Sequence, residues 1–260
     1  MTVLDRLADY ARQRTEAEKR ELPLDELRHQ AEQLPKKSFE FEKALKKEGI
    51  SFICECKKAS PSKGIIAPDF PFLEIARDYE RAGADCISVL TEPKWFLGSD
   101  EYLSEISANV SIPCLRKDFT VDEYMIYKAR ILGASAVLLI CSILDEARIK
   151  EYINNCDSLG LSALVEAHDE NEVVSAQRAG ARIIGVNNRN LKELSVDTEN
   201  SARLKSLVSK DVLFVSESGV KTRADVEKLI EIGADAVLVG ETLMRASDKT
   251  AALKELKGIV

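Results

Sequence analysis

Four times in 260 residues the chain repeats one phrase: RAGADCISVL from 81, ILGASAVLLI from 131, RAGARIIGVN from 178 and EIGADAVLVG from 231. Each ends an amphipathic stretch on a glycine, the residue best suited to the left-handed turn after a helix, and then enters a short apolar run typical of a strand. The glycines, Gly83, Gly133, Gly180 and Gly233, stand 50, 47 and 53 residues apart. That interval is too long for one strand–helix unit of about 25 to 30 residues and suits two.

The intermediate units are present. ISFICEC begins at 50, SIPCLRKDF at 111, LSALVEA at 161 and VLFVSESG at 212, so eight apolar strands start near 51, 86, 113, 136, 161, 182, 213 and 236. Helical stretches such as FLEIARDYERAGA and TRADVEKLIEIGA separate them. Strict alternation implies an α/β protein with parallel strands under a helical layer. Eight units with no long crossover to mark a reversal of strand order favour a closed (β/α)8 TIM barrel over an open doubly wound sheet. Residues 1–50 fall outside the repeat. VLDRLADYARQRTEAEKR and LDELRHQAEQL have helical apolar spacing, punctuated by Pro23 and Pro35, and FEKALKKEG leads into the first strand. We read one barrel domain over 1–260 whose first 50 residues form a helical N-terminal extension. Periodicity does not say whether that extension covers the bottom of the barrel or crowds its mouth.

Composition narrows the function. The chain is 45% hydrophobic and 31% charged, with a net charge of −7 and both signs interspersed, as in ordinary soluble globular proteins. A nucleic-acid surface would need a basic stripe, whereas a small anionic ligand needs only a local cluster of bases. No apolar run approaches the roughly 18 to 20 residues of a membrane helix. The N-terminus carries acids as well as bases, unlike a secretory signal or a transit peptide, so a cytoplasmic location is expected. A monomer is expected as well, although sequence does not give the oligomeric state. Cys54, Cys56, Cys86, Cys114, Cys141 and Cys156 form no C-x-x-C pair, and only His29 and His168 could assist a metal. Buried reduced thiols are expected, with no disulfide framework and no metal.

In such a barrel chemistry belongs at the C-terminal ends of the strands. Strand 1 ends with Glu55 and Lys57, two apart and on one face, with Cys54 and Cys56 turned toward the helices. Strand 3 ends with Lys117 after Leu115, and strand 5 with Glu166 in phase with Leu164. Strand 6 ends with Asn187 and Arg189, strand 7 with Glu217, Ser218 and Gly219, and strand 8 with Gly240 and Glu241. One Lys or Glu at a strand end is ordinarily solvated or paired. Two Lys, three Glu, an Asn and an Arg converging on one rim point to a site, although structural ion-pair networks look similar. His168 reads as a loop or helix-start residue, and Trp95 and Phe96 as either an aromatic wall or a hydrophobic cover. Gly219, before a helix starting near Thr222, and Gly240 with Glu241, before a short apolar turn, offer backbone N–H groups to a phosphate. Arg189 or Lys57 would add charge-assisted contacts. With no well-placed histidine, acid–base work falls to Lys and Glu. That suits proton transfer or carbonyl chemistry on a sugar phosphate, or a Schiff-base lysine.

ECKKASPSKG, TEPKWFLGS, LRKDF, LVEAH, GVNNRNL, SESGV and VGETLM, in this order and at these strands, resemble the indole-3-glycerol-phosphate synthase family over essentially the whole chain. The resemblance implies ring closure of 1-(2-carboxyphenylamino)-1-deoxyribulose 5-phosphate with loss of carbon dioxide and water, in tryptophan biosynthesis, without cofactor or metal. It implies Lys117 as general acid to the carbonyl oxygen and Glu166 as proton acceptor or donor in ring closure and dehydration. Lys57 would meet the substrate carboxylate and anion, with Glu55 orienting it. Asn187 and Arg189 would hold hydroxyl and phosphate groups, Glu217 and Ser218 match strand 7, and Gly219, Gly240 and Glu241 match the phosphate loops. Ser60 and Ser62 of SPSKG, with Phe96, would close over the site. Asn190 stands where the family often has Asp, and Leu97 where some members have a polar residue. Two rivals are a phosphoribosylanthranilate isomerase-like barrel and a non-catalytic barrel that binds a phosphometabolite. Indole fluorescence with release of carbon dioxide separates the first, and binding without turnover identifies the second.

Overall fold

The computed structural model describes residues 2–189 and 196–259. Eight strands form its centre: β1 Ser51–Cys56, β2 Cys86–Leu90, β3 Cys114–Lys117, β4 Ala136–Ile140, β5 Ser162–Ala167, β6 Ile183–Asn187, β7 Leu213–Glu217 and β8 Ala236–Val239. Each pairs in parallel with the next, and β8 returns to β1, so the sheet closes into a barrel. The four repeat glycines take φ between +75° and +90°, the left-handed turn their spacing implied.

Three helices precede the barrel: α1 Val3–Glu21, α2 Leu24–Gln33 and α3 Glu40–Leu45. The outer layer holds α4 Phe72–Arg81, α5 Asp100–Asn109, α6 Tyr124–Ile131, α7 Glu146–Leu159, α8 Glu170–Arg178, α9 Glu199–Lys205 and α10 Arg223–Glu231. Short α11 Glu241–Arg245 and α12 Lys249–Lys257 complete it. Among the described residues no helix is long and apolar enough to cross a membrane.

Side-chain alternation along the strands divides the apolar residues into two cores. Ile53, Leu115, Leu164 and Val215 fill the barrel. Phe52, Cys54, Cys56, Val165 and Ile184 face the helices. Glu55, Lys117, Glu166 and Glu217 each lie two residues beyond an inward apolar residue, so the period of two carries them inward at the strand tips. The cysteine sulfurs are free thiols, all buried except the half-buried Cys141.

The extension occupies both ends of the barrel. Leu4, Leu7 and Ala11 of α1 join the inner core from the C-terminal side, beside the rim. Phe41 and Leu45 of α3 join it from the opposite side. There Ser51 Oγ donates to the Ala44 carbonyl at 3.3 Å and Ser162 Oγ accepts from Glu42 N at 3.2 Å. Both serines begin strands, so α3 plugs the bottom. Between the two, α2 packs along α6, with Arg28 and Glu123 3.0 Å apart.

Ion pairs clamp α1. Arg14 Nη2 donates to both oxygens of buried Asp118, at 2.9 and 2.8 Å. Lys128 bridges Glu18 at 2.9 Å and Asp100 at 2.6 Å, and Asp100 continues to Arg116 at 2.9 Å. After β1 the chain forms a small antiparallel hairpin, Ala59–Ser60 with Gly64–Ile65, where the sequence showed only a loop.

Candidate active site

The rim charges lie in two linked groups. Lys57 Nζ donates to Glu55 Oε1 at 2.5 Å, and Ser88 Oγ donates to Glu55 Oε2 at 3.3 Å. A Cβ at position 240 would lie 2.5 Å from Glu55 Oε1 and 2.9 Å from Lys57 Nζ, so Gly240 is the space this pair needs. Lys117 Nζ donates to Glu217 Oε2 at 2.5 Å and to Glu166 Oε2 at 3.2 Å. All three carboxylates are at most 3% exposed. A buried charge persists only where it is paired, and here one ammonium serves two acids.

The lysine and its two acids titrate unequally. Burial disfavours the charge on Lys117, but Glu217, Glu166 and Glu55 hold the ammonium well above the ordinary lysine range. Burial would raise Glu166 as well, yet Lys117 and His168 hold its carboxyl well below the usual carboxylate range. Burial pushes Glu217 up to about 7, because Lys117 only partly offsets it and Glu166 adds a like charge.

His168 is more than the helix-start residue its position suggests. Asp169 caps α8 instead, accepting from Glu172 N. The His168 ring turns back toward the rim, with Nε2 3.3 Å from Glu166 Oε1, a contact of charge rather than an aligned hydrogen bond. Burial lowers its basicity, but Glu166 and Glu172 together raise it to about 10.

Asn187 Oδ1 accepts from Arg189 N and from Ser218 Oγ, both at 3.0 Å, which joins the ends of β6 and β7. Ser218 holds φ at +68°, a left-handed conformation that is costly for a non-glycine residue and is found most often at functional sites. Behind it Asn188 is buried. Its side chain donates to Ser216 Oγ and the Ser218 carbonyl and accepts from Ser201 N and Oγ.

The two groups of rim charges line one cavity of ≈ 130 Å³, while His168 and Asn188 face the neighbouring cleft. Glu55, Lys57, Lys117, Glu166 and Glu217 form its charged side, with Asn187, Arg189, Ser218 and Glu241 alongside. Leu90, Phe96, Phe119 and Ile140 form an apolar wall. Val3, Leu4 and Leu7 of α1 and Ser60, Pro61 and Ser62 of the hairpin roof it. The Phe96 loop is shaped by Glu92, whose buried carboxylate accepts from the backbone N–H groups of Lys94, Trp95 and Phe96 at 2.8 to 2.9 Å.

At the tips of β7 and β8 the two expected N–H sites differ from the start of the helix that follows. The start of α10 is already satisfied internally, because Asp225 accepts from Lys221 N and Thr222 N while Thr222 Oγ1 accepts from Asp225 N. The N–H groups nearer the strand tips, at Ser218–Gly219 and Gly240–Glu241, belong to no such box. Gly219 takes φ +99°, and a Cβ there would lie 2.7 Å from Thr198 Cγ2.

A family model for indole-3-glycerol phosphate synthase matches residues 4–256, nearly the whole chain. The chain belongs to the indole-3-glycerol phosphate synthase family. The indole-3-glycerol phosphate synthase of Ruminiclostridium cellulolyticum is 57% identical over 257 residues, 98% of this chain and 99% of that protein. That of Endomicrobium trichonymphae is 50% identical over 256 residues, with coverage of 98% and 99%. Among solved structures, 3-hexulose-6-phosphate synthase superposes with a TM-score of 0.66 at 19% identity, over 81% of this chain and 100% of that one. At that identity the likeness shows the shared barrel alone.

Of the two departures from the synthase pattern, Asn190 lies outside the described residues. Leu97 takes φ +51° in the turn that Glu92 organises. Sequence reading gave His168 no part in the site, left the placement of α1 open and did not single out Gly185, Glu92 or Phe119. Two left a trace in the sequence: a glycine inside the strand IIGVN, and a histidine two residues past an inward glutamate.

Proposed function

We propose that this chain closes the indole ring of 1-(2-carboxyphenylamino)-1-deoxyribulose 5-phosphate, with Lys117 and Glu166 as its acid–base pair. The observation that carries the reading is the Lys117 ammonium, 3.2 Å from Glu166 and 2.5 Å from Glu217 at the floor of a cavity with one apolar and one charged side. The substrate has the same two sides. Its aromatic ring suits Phe96, Phe119 and the α1 leucines, while its carboxylate and phosphate need cations and N–H donors.

Atom balance assigns the steps. The ring carbon that bears the carboxylate attacks the ketone carbon as Lys117 delivers a proton to the ketone oxygen. The carboxylate then leaves as carbon dioxide, and its bonding pair restores the aromatic ring. The new hydroxyl takes a proton from the Lys57 ammonium, whose carboxylate partner has left as carbon dioxide, and departs as water while Glu166 takes a proton from the adjacent methylene carbon, which completes the indole. Lys57 meets the substrate carboxylate, held by Glu55. Arg189, Ser218 and the N–H groups at Gly219, Gly240 and Glu241 take the phosphate, and Asn187 fixes the turn that presents Ser218. The hairpin with Ser60 and Ser62 covers the bound substrate and keeps water from the developing charge. All these side chains come from one chain, and we take the active unit to be a cytosolic monomer.

The test is indole fluorescence with release of carbon dioxide from the synthetic substrate. Lys117→Ala should lower kcat by about 10² or more with the fold intact by circular dichroism. Turnover near that of the unsubstituted protein removes Lys117 from the role.

A further inference from the structure

Glu166 and Glu217 are two buried carboxylates on one lysine, and their places at the tips of β5 and β7 do not say which is the base. They differ at the oxygen turned away from Lys117. Glu217 Oε1 accepts no hydrogen bond among the described residues and lies over Gly185, where a Cβ would be 2.3 Å away. Glu166 Oε1 faces His168 Nε2 at 3.3 Å. The far side of the imidazole is also fixed, with Nδ1 3.1 Å from Glu172 Oε2. Glu172 is held in turn by His168 N at 2.7 Å and by Ser142 Oγ at 2.5 Å. A carboxylate beside each ring nitrogen favours the imidazolium over the neutral ring.

We propose that His168 is a positioning residue that divides labour between the two carboxylates, keeping Glu166 the anion that accepts the substrate proton and leaving Glu217 to carry any proton the pair shares. The inference rests on the reading in which Lys117 gives its proton to the ketone oxygen. Once it does, the ammonium becomes an amine and the acids lose their common counter-charge. Two carboxylates so placed cannot both stay ionised. Glu166 keeps the imidazolium against its second oxygen, and Glu217 has no hydrogen bond there. A proton that the acid pair takes up from solvent therefore sits on Glu217, from which it passes to the Lys117 amine, the stronger base, while Glu166 stays ready for the methylene proton.

Charged groups from every side enter this balance. Lys117 from β3, Glu217 from β7 and Glu55 from β1 surround Glu166. Glu172 from α8, neighbouring Asp169 and the Cys141 thiol after β4 lie around the imidazole. Asp5, Arg189 and Arg203 line the cleft on its open side. The shifts run in the required direction: Glu166 is held low, Glu217 rises to about 7 and His168 to about 10.

The test is His168→Gln, which keeps a donor of similar reach and removes the charge. Side-chain carboxyl shifts of ¹³C-glutamate-labelled protein would be titrated without substrate between about pH 3 and 9, a range that spans ordinary and raised carboxyl values. Glu166→Gln and Glu217→Gln assign the signals. In the unsubstituted protein the carboxyl that titrates near neutrality should disappear with Glu217→Gln. In His168→Gln the Glu166 titration, which lies below this range in the unsubstituted protein, should rise into it, and an acid limb should enter the kcat profile with it. KM should stay within about 2-fold while kcat at neutral pH falls about 10-fold, the pattern of a lost transition-state contribution. Glu172→Gln is the second variant. It leaves the ring in place but withdraws one carboxylate, so the imidazolium loses its proton at lower pH and the alkaline limb moves down.

A purely structural histidine would lower Tm and leave both limbs in place. Unchanged titrations and limbs in His168→Gln overturn the proposal, as does assignment of the near-neutral titration to Glu166. Should the titrations shift as expected while the unsubstituted protein makes no indole, the functional reading fails and the charge assignment stands.

Discussion

A methyl group at position 185 would lie 2.3 Å from Glu217 Oε1 and 3.2 Å from Leu164 Cδ1. Gly185 is inward-facing and pairs with Glu166 on one side and Val215 on the other, so its missing side chain is the room through which Glu217 reaches Lys117. Gly185→Ala should push Glu217 off the lysine and lower kcat about 10-fold or more, with a stability cost of about 1 to 3 kcal/mol from overpacking. Steady-state kinetics beside a urea titration reads both, and an unchanged kcat would mean that Glu217 reaches Lys117 without this clearance. Such residues mark where sequence reading stops at this scale. Glu55, Lys117, Glu166, Asn187 and Glu217 were legible because a strand alternates and each lies two residues past an inward one. His168 was not, because its role depends on a ring folded back across a turn and on Glu172 and Ser142, placed by two other elements. The cradle glycines were legible as glycines, but what each makes room for came only with the side chains around it.

Strand positions followed from the repeat to within a residue, because each strand begins where a helix-ending glycine or a β-branched run says it must. The hairpin after β1 did not. Its two-residue strands are too short for a periodic signal, and tertiary hydrogen bonds hold them in place. Ala59 N donates to the Phe96 carbonyl at 3.2 Å, and the N–H groups of Ile66 and Ala67 both donate to the Lys58 carbonyl, at 2.8 and 3.1 Å. The cavity beneath, at ≈ 130 Å³, is smaller than the roughly 300–1,000 Å³ of ordinary small-molecule sites. Movement of one of its roofing elements is therefore expected when substrate enters. Buried ion pairs hold α1, while the hairpin tip meets Glu241 through an ion pair of 3.7 Å between half-exposed side chains, so the hairpin is the element expected to swing. Gly64 takes φ +63° with open space around it, which makes it a clean place to tax the closed state. Gly64→Ala should cost the closed hairpin about 1 kcal/mol, so amide exchange at Ala59 and Ile66 should quicken about 5-fold while the barrel amides keep their rates. Equal exchange rates in the two proteins would show that the hairpin does not open as a unit.

At the scale of the whole molecule, the rim is tied to the first helix of the chain. Its apolar spacing marked α1 as a helix, but nothing periodic could place it, because its site is chosen by pairs such as Arg14 with Asp118, 104 residues away in the chain. Asp118 follows Lys117 directly, and Arg116 on the other side belongs to the same network through Asp100. Lys117 therefore extends inward from a segment whose outward side chains are bonded to the extension. Arg14→Met tests this linkage. The methionine keeps much of the packing volume, while Asp118, with no exposed side-chain surface, retains Thr91 Oγ1 at 2.7 Å, Phe119 N at 2.8 Å and Arg116 Nη2 at 3.5 Å and loses its bidentate partner. Removing one member of a buried pair costs about 3 to 5 kcal/mol when the other is left bare, and the remaining donors reduce this to about 2 to 4 kcal/mol. A lower urea midpoint with unchanged m-value is therefore expected. Because Leu4 and Leu7 roof the cavity from the same helix, kcat/KM should fall at denaturant-free conditions where the barrel is still folded. Arg14→Met combined with Asp118→Asn should regain part of the midpoint, since the stranded charge is gone, without regaining kcat/KM, since α1 remains unclamped. A double variant no more stable than Arg14→Met alone would show that the cost lies in lost packing of the arginine and not in the charge left behind.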